Sequence, residues 1–272
     1  MKKFVKICIV LLVLGGIASA LWLYLPYYQI SSLKNKTMGQ PEEGSPSHIT
    51  YLKESGIDTI HMLALGDSVI TGFGTDPKAN FVQSFSAGLS EQTGKEVFLR
   101  NEGINGLTSK KLYDIVQRGR LDEEIKQSEV IILNVGGNDI LRAARHSDFA
   151  TAIGTFDTLQ SEFVDNMTGV SDIILTLNPQ VTIVLLELYN PLPIDHTFYS
   201  LSDKLLPKWN LRLYQFAQNF NHSVVVQTTK VINSSHPDHL SVDRVHPSQD
   251  GHIAISQQAL EQFAKEKHSK SN

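Results

Sequence analysis

A serine and a histidine–carboxylate pair, far apart in this sequence, have the residue types needed for acyl transfer. Ser68 follows Gly66 and Asp67, and Asp243 lies three residues before His246 near the other end of the chain. A serine hydroxyl is a poor nucleophile until a nearby base takes its proton, and a carboxylate can orient that base. The pattern predicts Ser68 as the nucleophile, His246 as general base and then general acid, and Asp243 as the orienting carboxylate.

Acyl transfer also needs hydrogen-bond donors for the oxyanion that forms on the attacked carbonyl. Asn138 follows a pair of glycines that allow a sharp turn after an apolar run, so its side-chain amide is one candidate. Gly106 could present a bare backbone N–H beside that of Ser68, although Gly103 is a nearby competitor. The predicted oxyanion hole therefore consists of Ser68, Gly106 and Asn138.

Each of these stretches also has an ordinary structural interpretation. Gly-Asp-Ser is common in turns, Gly-Gly-Asn-Asp suits a strand-to-helix turn with a capping residue, and a lone histidine is mostly structural or solvated. The ordered combination favours an esterase-type site, for which Asp67 and Asp139 are expected to support the turns rather than to catalyse.

Two other functions compete with this prediction. One is a metal-dependent hydrolase, because several potential ligands crowd into one short stretch. These are His236, Asp238, His239, Asp243 and His246. The other is a membrane-tethered binding domain that keeps the fold without turnover. A zinc hydrolase would lose activity in a chelator, and a binding domain would hydrolyse no ester.

Alternating apolar runs and helical patterns place these residues in an α/β fold. Strand-like runs lie near 59–65, 96–101, 129–135, 180–188 and 223–228, and helical patterns lie near 80–93, 108–118, 149–177, 203–220 and 248–266. Such alternation implies a parallel sheet covered on both faces. Ser68 and Asn138 follow the first and third runs, at the strand ends where doubly wound sheets place ligands.

The four blocks together resemble the SGNH (GDSL-type) hydrolase family, over residues 59 to about 265. The family's nucleophile matches Ser68, its glycine Gly106, its asparagine Asn138, and its Asp-x-x-His pair Asp243 and His246. The resemblance implies a three-layer α/β/α, flavodoxin-like fold with five parallel strands and no cofactor. It is closest to bacterial membrane-associated or secreted lipase/esterase-like members, which also carry a Tyr-Asn-Pro turn like that at 189–191.

One departure separates the chain from another serine hydrolase fold. The second glycine of the Gly-x-Ser-x-Gly elbow is missing, because Ile70 stands at that position, and a standard α/β-hydrolase is therefore not expected.

The N-terminus predicts a membrane anchor. Lys2 and Lys3 precede an almost uninterrupted apolar run from 7 to 25, which is long enough to span a bilayer and ends in aromatic residues. The positive charges predict a single-pass protein with its catalytic domain outside the cytoplasm. Cleavage after Ala20 and secretion is the alternative, but the apolar run continues beyond that site.

The remaining composition divides the chain and limits its partners. We expect an N-terminal signal-anchor segment over 1–28, a flexible linker over 29–57 and a hydrolase domain over 58–268. The formal net charge of −4 gives no basis for nucleic-acid binding, and the single cysteine, Cys8, excludes an intramolecular disulfide. We expect a monomer that needs neither metal nor cofactor.

The substrate class is less constrained than the chemistry. An apolar, proline-containing connection around 190–208 could line an acyl pocket, act as a lid or simply pack on itself. Its composition tilts the prediction towards lipid-like acyl esters, with acetyl groups of cell-wall polysaccharide as an alternative.

Overall fold

Five strands form one parallel sheet at the centre of the protein: β1 (Thr59–Gly66), β2 (Glu96–Gly103), β3 (Val130–Asn134), β4 (Thr182–Leu186) and β5 (His222–Val226). Their order across the sheet is β2-β1-β3-β4-β5. The structure, a computed structural model, describes residues 12–14, 16–17, 20–21, 24–33, 45–146, 149–197, 199–266 and 268. The strand order is the flavodoxin-like one. Because all five strands are parallel, their carboxyl ends lie at one edge of the sheet.

Nine labelled helices connect or cover the described strands. They are α1 (His48–Glu54), α2 (Ser68–Thr71), α3 (Phe81–Thr93), α4 (Ser109–Gln117), α5 (Asp122–Gln127), α6 (Gly137–His146), α7 (Phe149–Leu177), α8 (Tyr199–Ala217) and α9 (Gln249–Lys265). Two short 3₁₀ turns, Thr228–Lys230 and Pro237–His239, lie between β5 and α9.

Apolar residues on both faces of the central strands build two separate cores. In β3, Ile131 and Leu133 belong to one core with α4, α7 and α8, whereas Val130 and Ile132 belong to the other with α1, α3 and α9. Full burial of each such side chain contributes roughly 1.5–3 kcal/mol. The strands are thus buried on both sides, and the predicted three-layer α/β/α fold is confirmed.

The predicted linker over 29–57 contains packed structure. Helix α1 begins at a Ser47 cap and buries His48, Ile49 and Leu52. Its apolar face packs into the same core as α3 and α9, so the folded domain starts before the predicted boundary at 58. That part of the linker prediction is corrected, and residues 34–44 lie outside the described residues.

The N-terminal segment is described only in part. Residues 24–33 are helical, and Ile30 and Leu33 pack against the core formed with α7 and α8. In the described portion of the chain, no helix combines the length and apolar character needed to cross a bilayer. Most of the predicted anchor over 1–28 lies outside the described residues, and it stays a prediction.

Candidate active site

Ser68 lies at the carboxyl end of β1, at the first position of the short helix α2. Its predecessor Asp67 caps this helix by accepting a hydrogen bond from the Val69 N–H at 3.0 Å. The Asp67 N–H in turn donates to the Asn134 carbonyl at the end of β3 at 3.0 Å. The turn that carries Ser68 is therefore fixed both to its own helix and to the neighbouring strand.

The other two predicted catalytic residues form a chain of contacts that ends at Ser68. The His246 Nδ1 lies 2.6 Å from a carboxylate oxygen of Asp243, which can only accept, so Nδ1 carries the proton. The Nε2 is then an acceptor, and it lies 2.8 Å from the Ser68 hydroxyl oxygen. In this arrangement the serine hydroxyl donates to a base that can remove its proton.

A closed hairpin presents Asp243 and His246. Leu240 and Pro247 form an antiparallel bridge at its base, and the Ser241 N–H donates to the His246 carbonyl at 2.8 Å. At the tip, Arg244 has a φ of 56°, in the left-handed region that side chains other than glycine rarely adopt. This turn lets the Asp243 carboxylate contact the His246 ring, three residues further along the chain, while the other side of that ring faces Ser68.

Hydrogen bonds hold the Asp243 carboxylate in its charged form. Partial burial alone would raise its pKa. Donation from the backbone N–H groups of His246 and Val245 and from the Ser241 hydroxyl outweighs burial, so the pKa of Asp243 lies well below its usual range. The carboxylate is thus available to stabilise a protonated His246.

The structure distinguishes the two glycines that compete for the oxyanion hole. The Gly103 N–H is engaged, because it donates to the Asn101 side chain at 2.9 Å. Gly106 has a φ of +74° in a turn closed by a hydrogen bond from the Leu107 N–H to the Ile104 carbonyl. Among the described residues the Gly106 N–H has no acceptor, which favours Gly106 as the donor.

Asn138 lies beside Ser68 through a shared neighbour, Asp67. The Asn138 amide donates to one Asp67 carboxylate oxygen at 3.2 Å, and the buried Asn134 amide donates to the other at 3.0 Å. An amide nitrogen has two hydrogens, so Asn138 retains one for a substrate oxygen. Gly136 makes the turn that directs Asn138 here, since its φ is +120° and an added Cβ would lie 2.8 Å from the Trp209 ring nitrogen.

Burial makes Asp67 a weaker acid than an ordinary aspartate. Loss of hydration raises its pKa to about 6, against the lowering effect of the hydrogen bonds from Val69, Asn134 and Asn138 and of His246 nearby. The sequence predicted a turn residue here, and the structure adds its bonds to two asparagine amides. No sequence pattern identified Asn134 as a member of the site.

Asp139 supports an adjacent helix rather than the reaction centre. Its carboxylate accepts hydrogen bonds from the Ser109 N–H and hydroxyl at the start of α4. Burial raises the pKa of Asp139, and these bonds oppose the rise. This agrees with the supporting role predicted for it.

Two aromatic side chains outside the predicted triad and oxyanion hole contact the hairpin that carries Asp243 and His246, and one of them, Phe73, lies in the loop after Ser68 that the sequence offers as a second candidate for a pocket wall. The Phe73 ring centroid lies 4.7 Å from that of His246, and the Tyr189 hydroxyl donates to the Val245 carbonyl at 2.8 Å. Burial, together with the charges of Asp67 and Asp243, raises the pKa of Tyr189, which keeps this hydroxyl protonated as a donor. The Tyr-Asn-Pro turn of the sequence was the available signal for Tyr189.

The connection predicted around 190–208 is shorter than expected. Helix α8 already begins at Tyr199, so only the first half of that range is a loop. Asn190 ties the loop to the helix by donating to the Tyr199 carbonyl at 3.2 Å. A role for this loop as a lid stays a prediction.

The five potential metal ligands of the sequence separate into two groups. His236, Asp238 and His239 have ligand atoms within 4.8 Å of one another, whereas Asp243 and His246 form the chain of contacts to Ser68. The geometry therefore does not assemble a metal centre from all five residues.

A cavity of about 830 Å³ lies away from this site. Its walls come from residues 25–29 and from helices α7 and α8, and they include none of the predicted catalytic or oxyanion residues.

Comparisons with known proteins agree on the family and on the fold. The model of the GDSL-like lipase/acylhydrolase family matches residues 64–254, a range that contains every predicted site residue. The spore germination lipase LipC of Bacillus licheniformis is 28% identical over 204 residues, which cover 73% of this chain and 94% of that protein. The uncharacterized protein YpmR of Bacillus subtilis is 21% identical over 223 residues, or 81% and 86% of the two chains.

Solved structures show the same architecture. The lipase Lip_vut3 from a goat rumen metagenome has a TM-score of 0.61 and 26% identity, over 74% of this chain and 95% of that one. The acetylxylan esterase Axe2 of Geobacillus stearothermophilus has a TM-score of 0.56 and 20% identity, over 80% and 98%. At 20% identity, the similarity to Axe2 shows a shared fold alone.

Proposed function

The chain belongs to the GDSL-like lipase/acylhydrolase family and is a carboxylic ester hydrolase, and we propose that it cleaves esters with lipid-like acyl chains through an acyl-Ser68 intermediate. The observation that carries the mechanism is the unbroken contact from Asp243 through His246 to the Ser68 hydroxyl. Intact contacts of this kind also argue against a non-catalytic binding domain.

The proposed reaction has two steps. The Ser68 oxygen bonds to the ester carbonyl carbon while its proton moves to His246 Nε2, and the oxyanion receives hydrogen bonds from the Ser68 and Gly106 N–H groups and the Asn138 amide. The carbon–oxygen bond to the alcohol then breaks, and His246 returns the proton to the departing oxygen. In the second step His246 takes a proton from water while the water oxygen bonds to the acyl carbon. The bond from that carbon to the Ser68 oxygen then breaks, His246 returns the proton to this oxygen, and the acid leaves.

Exposed apolar side chains near the site support a lipid-like acyl group. Phe73, Ile104, Ile194 and Val242 are all exposed, and each lies on a different loop at the carboxyl edge of the sheet. Phe73 contacts the His246 ring, and Val242 directly precedes Asp243. An acyl chain that covers this apolar surface lowers the free energy of binding by roughly 0.8 kcal/mol for each buried CH₂ group.

We further propose that the enzyme is a monomer held at the outer side of a membrane by its N-terminal segment. Described residues of this segment are helical, and several apolar side chains on it are exposed. These are Leu12, Val13, Leu14, Ile17, Leu21, Tyr24 and Leu25.

Covalent labelling tests the mechanism. A fluorophosphonate should modify Ser68 in the wild type and leave Ser68→Ala unlabelled, and only the wild type should hydrolyse p-nitrophenyl butyrate. Mass spectrometry of the labelled peptide identifies the residue. Label on another residue, or full hydrolysis by Ser68→Ala, would overturn the acyl-Ser68 route.

A series of acetate, butyrate, octanoate and laurate esters tests the substrate class. We expect kcat/KM to rise with chain length and Phe73→Ser to reduce this rise several-fold. Phe98→Ser is the matched control, because Phe98 is also exposed but lies within β2. A preference for acetate that Phe73→Ser leaves unchanged would favour an acetylesterase, the class in which Axe2 is named.

A further inference from the structure

A cluster of two histidines and an aspartate lies just before the catalytic hairpin. His236, Asp238 and His239 occupy one 3₁₀ turn and its preceding residue, and their potential ligand atoms lie within 4.8 Å of one another. The His236 and His239 rings are nearly parallel, with centroids 4.9 Å apart and an interplanar angle of 12°. We refer to these three residues as the His–Asp–His cluster.

His239 is held in the form that a metal ion requires. Its Nδ1 lies 2.6 Å from the Val231 carbonyl oxygen, which can only accept, so the proton resides on Nδ1. The unprotonated Nε2 is then the ring's remaining ligand atom. Metal-binding histidines are commonly oriented in this way, by donation of the other ring nitrogen to a carbonyl or carboxylate.

The other two side chains of the cluster lack protein partners. Within the described ranges, neither the His236 ring nor the Asp238 carboxylate makes a hydrogen bond or an ion pair. A cation bound by the three side chains would neutralise the charge of Asp238. It would also accept the lone pair of an unprotonated nitrogen from each histidine ring. No contact within the described protein supplies either.

The donor set selects a class of metal. Two imidazole nitrogens and one carboxylate oxygen suit zinc and neighbouring first-row divalent ions, whereas calcium and magnesium prefer oxygen ligands throughout. Three protein ligands at a surface turn also leave room for water in the coordination sphere.

The cluster is tied to the hairpin that carries Asp243 and His246. The Ser248 N–H donates to the His239 carbonyl at 2.9 Å, and the Ser248 hydroxyl donates to the Asp238 carbonyl at 2.6 Å. Ser248 directly follows the Leu240–Pro247 bridge that closes the hairpin. An ion held by the cluster would therefore stabilise the base of that hairpin.

We propose that the His–Asp–His cluster binds a zinc-like divalent cation, which stabilises the hairpin and takes no part in ester cleavage. Its effect on activity rests on the proposed function, since that function makes the hairpin catalytic. Binding of the ion does not depend on turnover.

Calorimetric titration of untagged, full-length protein with Zn²⁺ tests the site. We expect one equivalent to bind to the wild type and to raise its melting temperature. His236→Gln and Asp238→Asn should each weaken binding by roughly tenfold or more, as loss of a ligand or of its support does elsewhere. His196→Gln removes an exposed histidine outside the cluster and should bind like the wild type.

Several outcomes would overturn the proposal. Absence of binding to the wild type would do so, as would unchanged affinity in both cluster variants, which would indicate adventitious binding to other histidines. Circular dichroism checks that each variant is folded. Two different substitutions make it improbable that a folding defect imitates loss of a ligand in both.

Activity separates this proposal from the esterase mechanism. Enzyme treated with EDTA should hydrolyse p-nitrophenyl butyrate but unfold at a lower temperature, and Ser68→Ala should bind Zn²⁺ with wild-type affinity. Full loss of turnover in EDTA, with recovery on Zn²⁺ addition, would make the ion catalytic and contradict the proposal. Zinc binding by a protein without esterase activity would instead refute only the proposed function.

Discussion

Asp67 binds two asparagine amides at once, one at each carboxylate oxygen. Asn134 and Asn138 approach it from the end of β3 and the start of α6, yet only Asn138 is partly exposed at the substrate side. The two side chains make the same kind of bond to the same partner. They therefore form a natural pair for separating a role in catalysis from a role in stability.

We predict that Asn138→Ala lowers kcat by about 100- to 1000-fold, because an oxyanion donor is lost. Asn134→Ala should keep most of the turnover and instead reduce the free energy of unfolding by roughly 1 kcal/mol, since it removes one of the two donors to a buried carboxylate oxygen and leaves only the Val69 N–H. Steady-state kinetics and urea unfolding measure both. Equal losses of kcat in the two variants would contradict the assignment of Asn138.

The raised pKa of Asp67 predicts how the free energy of unfolding depends on pH. Its pKa rises from 3.8 to about 6 on folding, so the protonated carboxyl stabilises the fold below the lower value, and this contribution disappears as pH rises through the higher one. Relative to Asp67→Asn, the wild type should lose about 3 kcal/mol of unfolding free energy over that range, at about 1.4 kcal/mol per pH unit. Urea unfolding from about pH 4 to pH 7 tests the sign, and a difference that stays constant with pH would contradict it.

Among the elements, a stack of aromatic rings joins the two ends of the described domain. His268 lies between Tyr51 of α1 and His222 of β5, with ring centroids 3.5 and 3.6 Å away. His48 approaches it at 3.3 Å between Nδ1 atoms. Burial, with repulsion from neighbouring histidines, lowers the pKa of both His48 and His268 to about 3.

We expect this stack to make the fold sensitive to acid. A histidine whose pKa falls from 6.5 to about 3 on folding contributes stability above the unfolded value, and loses it as pH falls towards the folded one. His48→Phe keeps an aromatic ring but removes one titration. Its unfolding free energy should fall less than that of the wild type between pH 7 and about pH 4.5, by about 2–3 kcal/mol. If denaturant titrations give the same pH dependence of the unfolding free energy for His48→Phe and the wild type, this prediction is wrong.

The elements with a clear apolar or periodic pattern were predictable from the sequence, and the shortest helices were not. Strand β3 and helix α7 carry continuous apolar or periodic patterns, and their positions agree with the sequence within a residue or two. Helices α1, α2 and α5 have at most seven residues each. Helices this short form because tertiary contacts hold them, and such contacts are invisible in a local pattern.

The same limit applies to the candidate site. The proposed nucleophile Ser68, its proposed base His246 and Asn138 stand at the ends of well-marked strands or in a recognisable motif. Asn134 is the last residue of β3, where the sequence offered no sign that its amide would meet Asp67 across the sheet. Phe73 contacts His246 from a loop whose path depends on how α2 ends at Gly72.

At the scale of the whole molecule, the N-terminal segment is joined to the catalytic domain. Ile30 and Leu33 pack on the core, and the Tyr27 hydroxyl donates to the Asp203 carbonyl of α8 at 3.1 Å. An anchor at the N-terminus would thus hold the domain close to the membrane surface instead of on a long tether.

Cell fractionation tests this arrangement. We predict that the full chain stays in the membrane fraction through an alkaline carbonate wash, because a spanning helix is retained when peripheral proteins are released. Protease added to intact spheroplasts should digest the catalytic domain, and mass spectrometry should find the N-terminal residues still attached. A soluble, exported product that begins after Ala20 would instead support secretion.

The order in which the catalytic residues occur along the chain has a consequence for biosynthesis. Ser68 follows the first strand, whereas Asp243 and His246 lie on the hairpin after the last one. A polypeptide still emerging from the ribosome carries a serine with no base to activate it. By the proposed mechanism, hydrolysis can start only after nearly the entire protein has been translated.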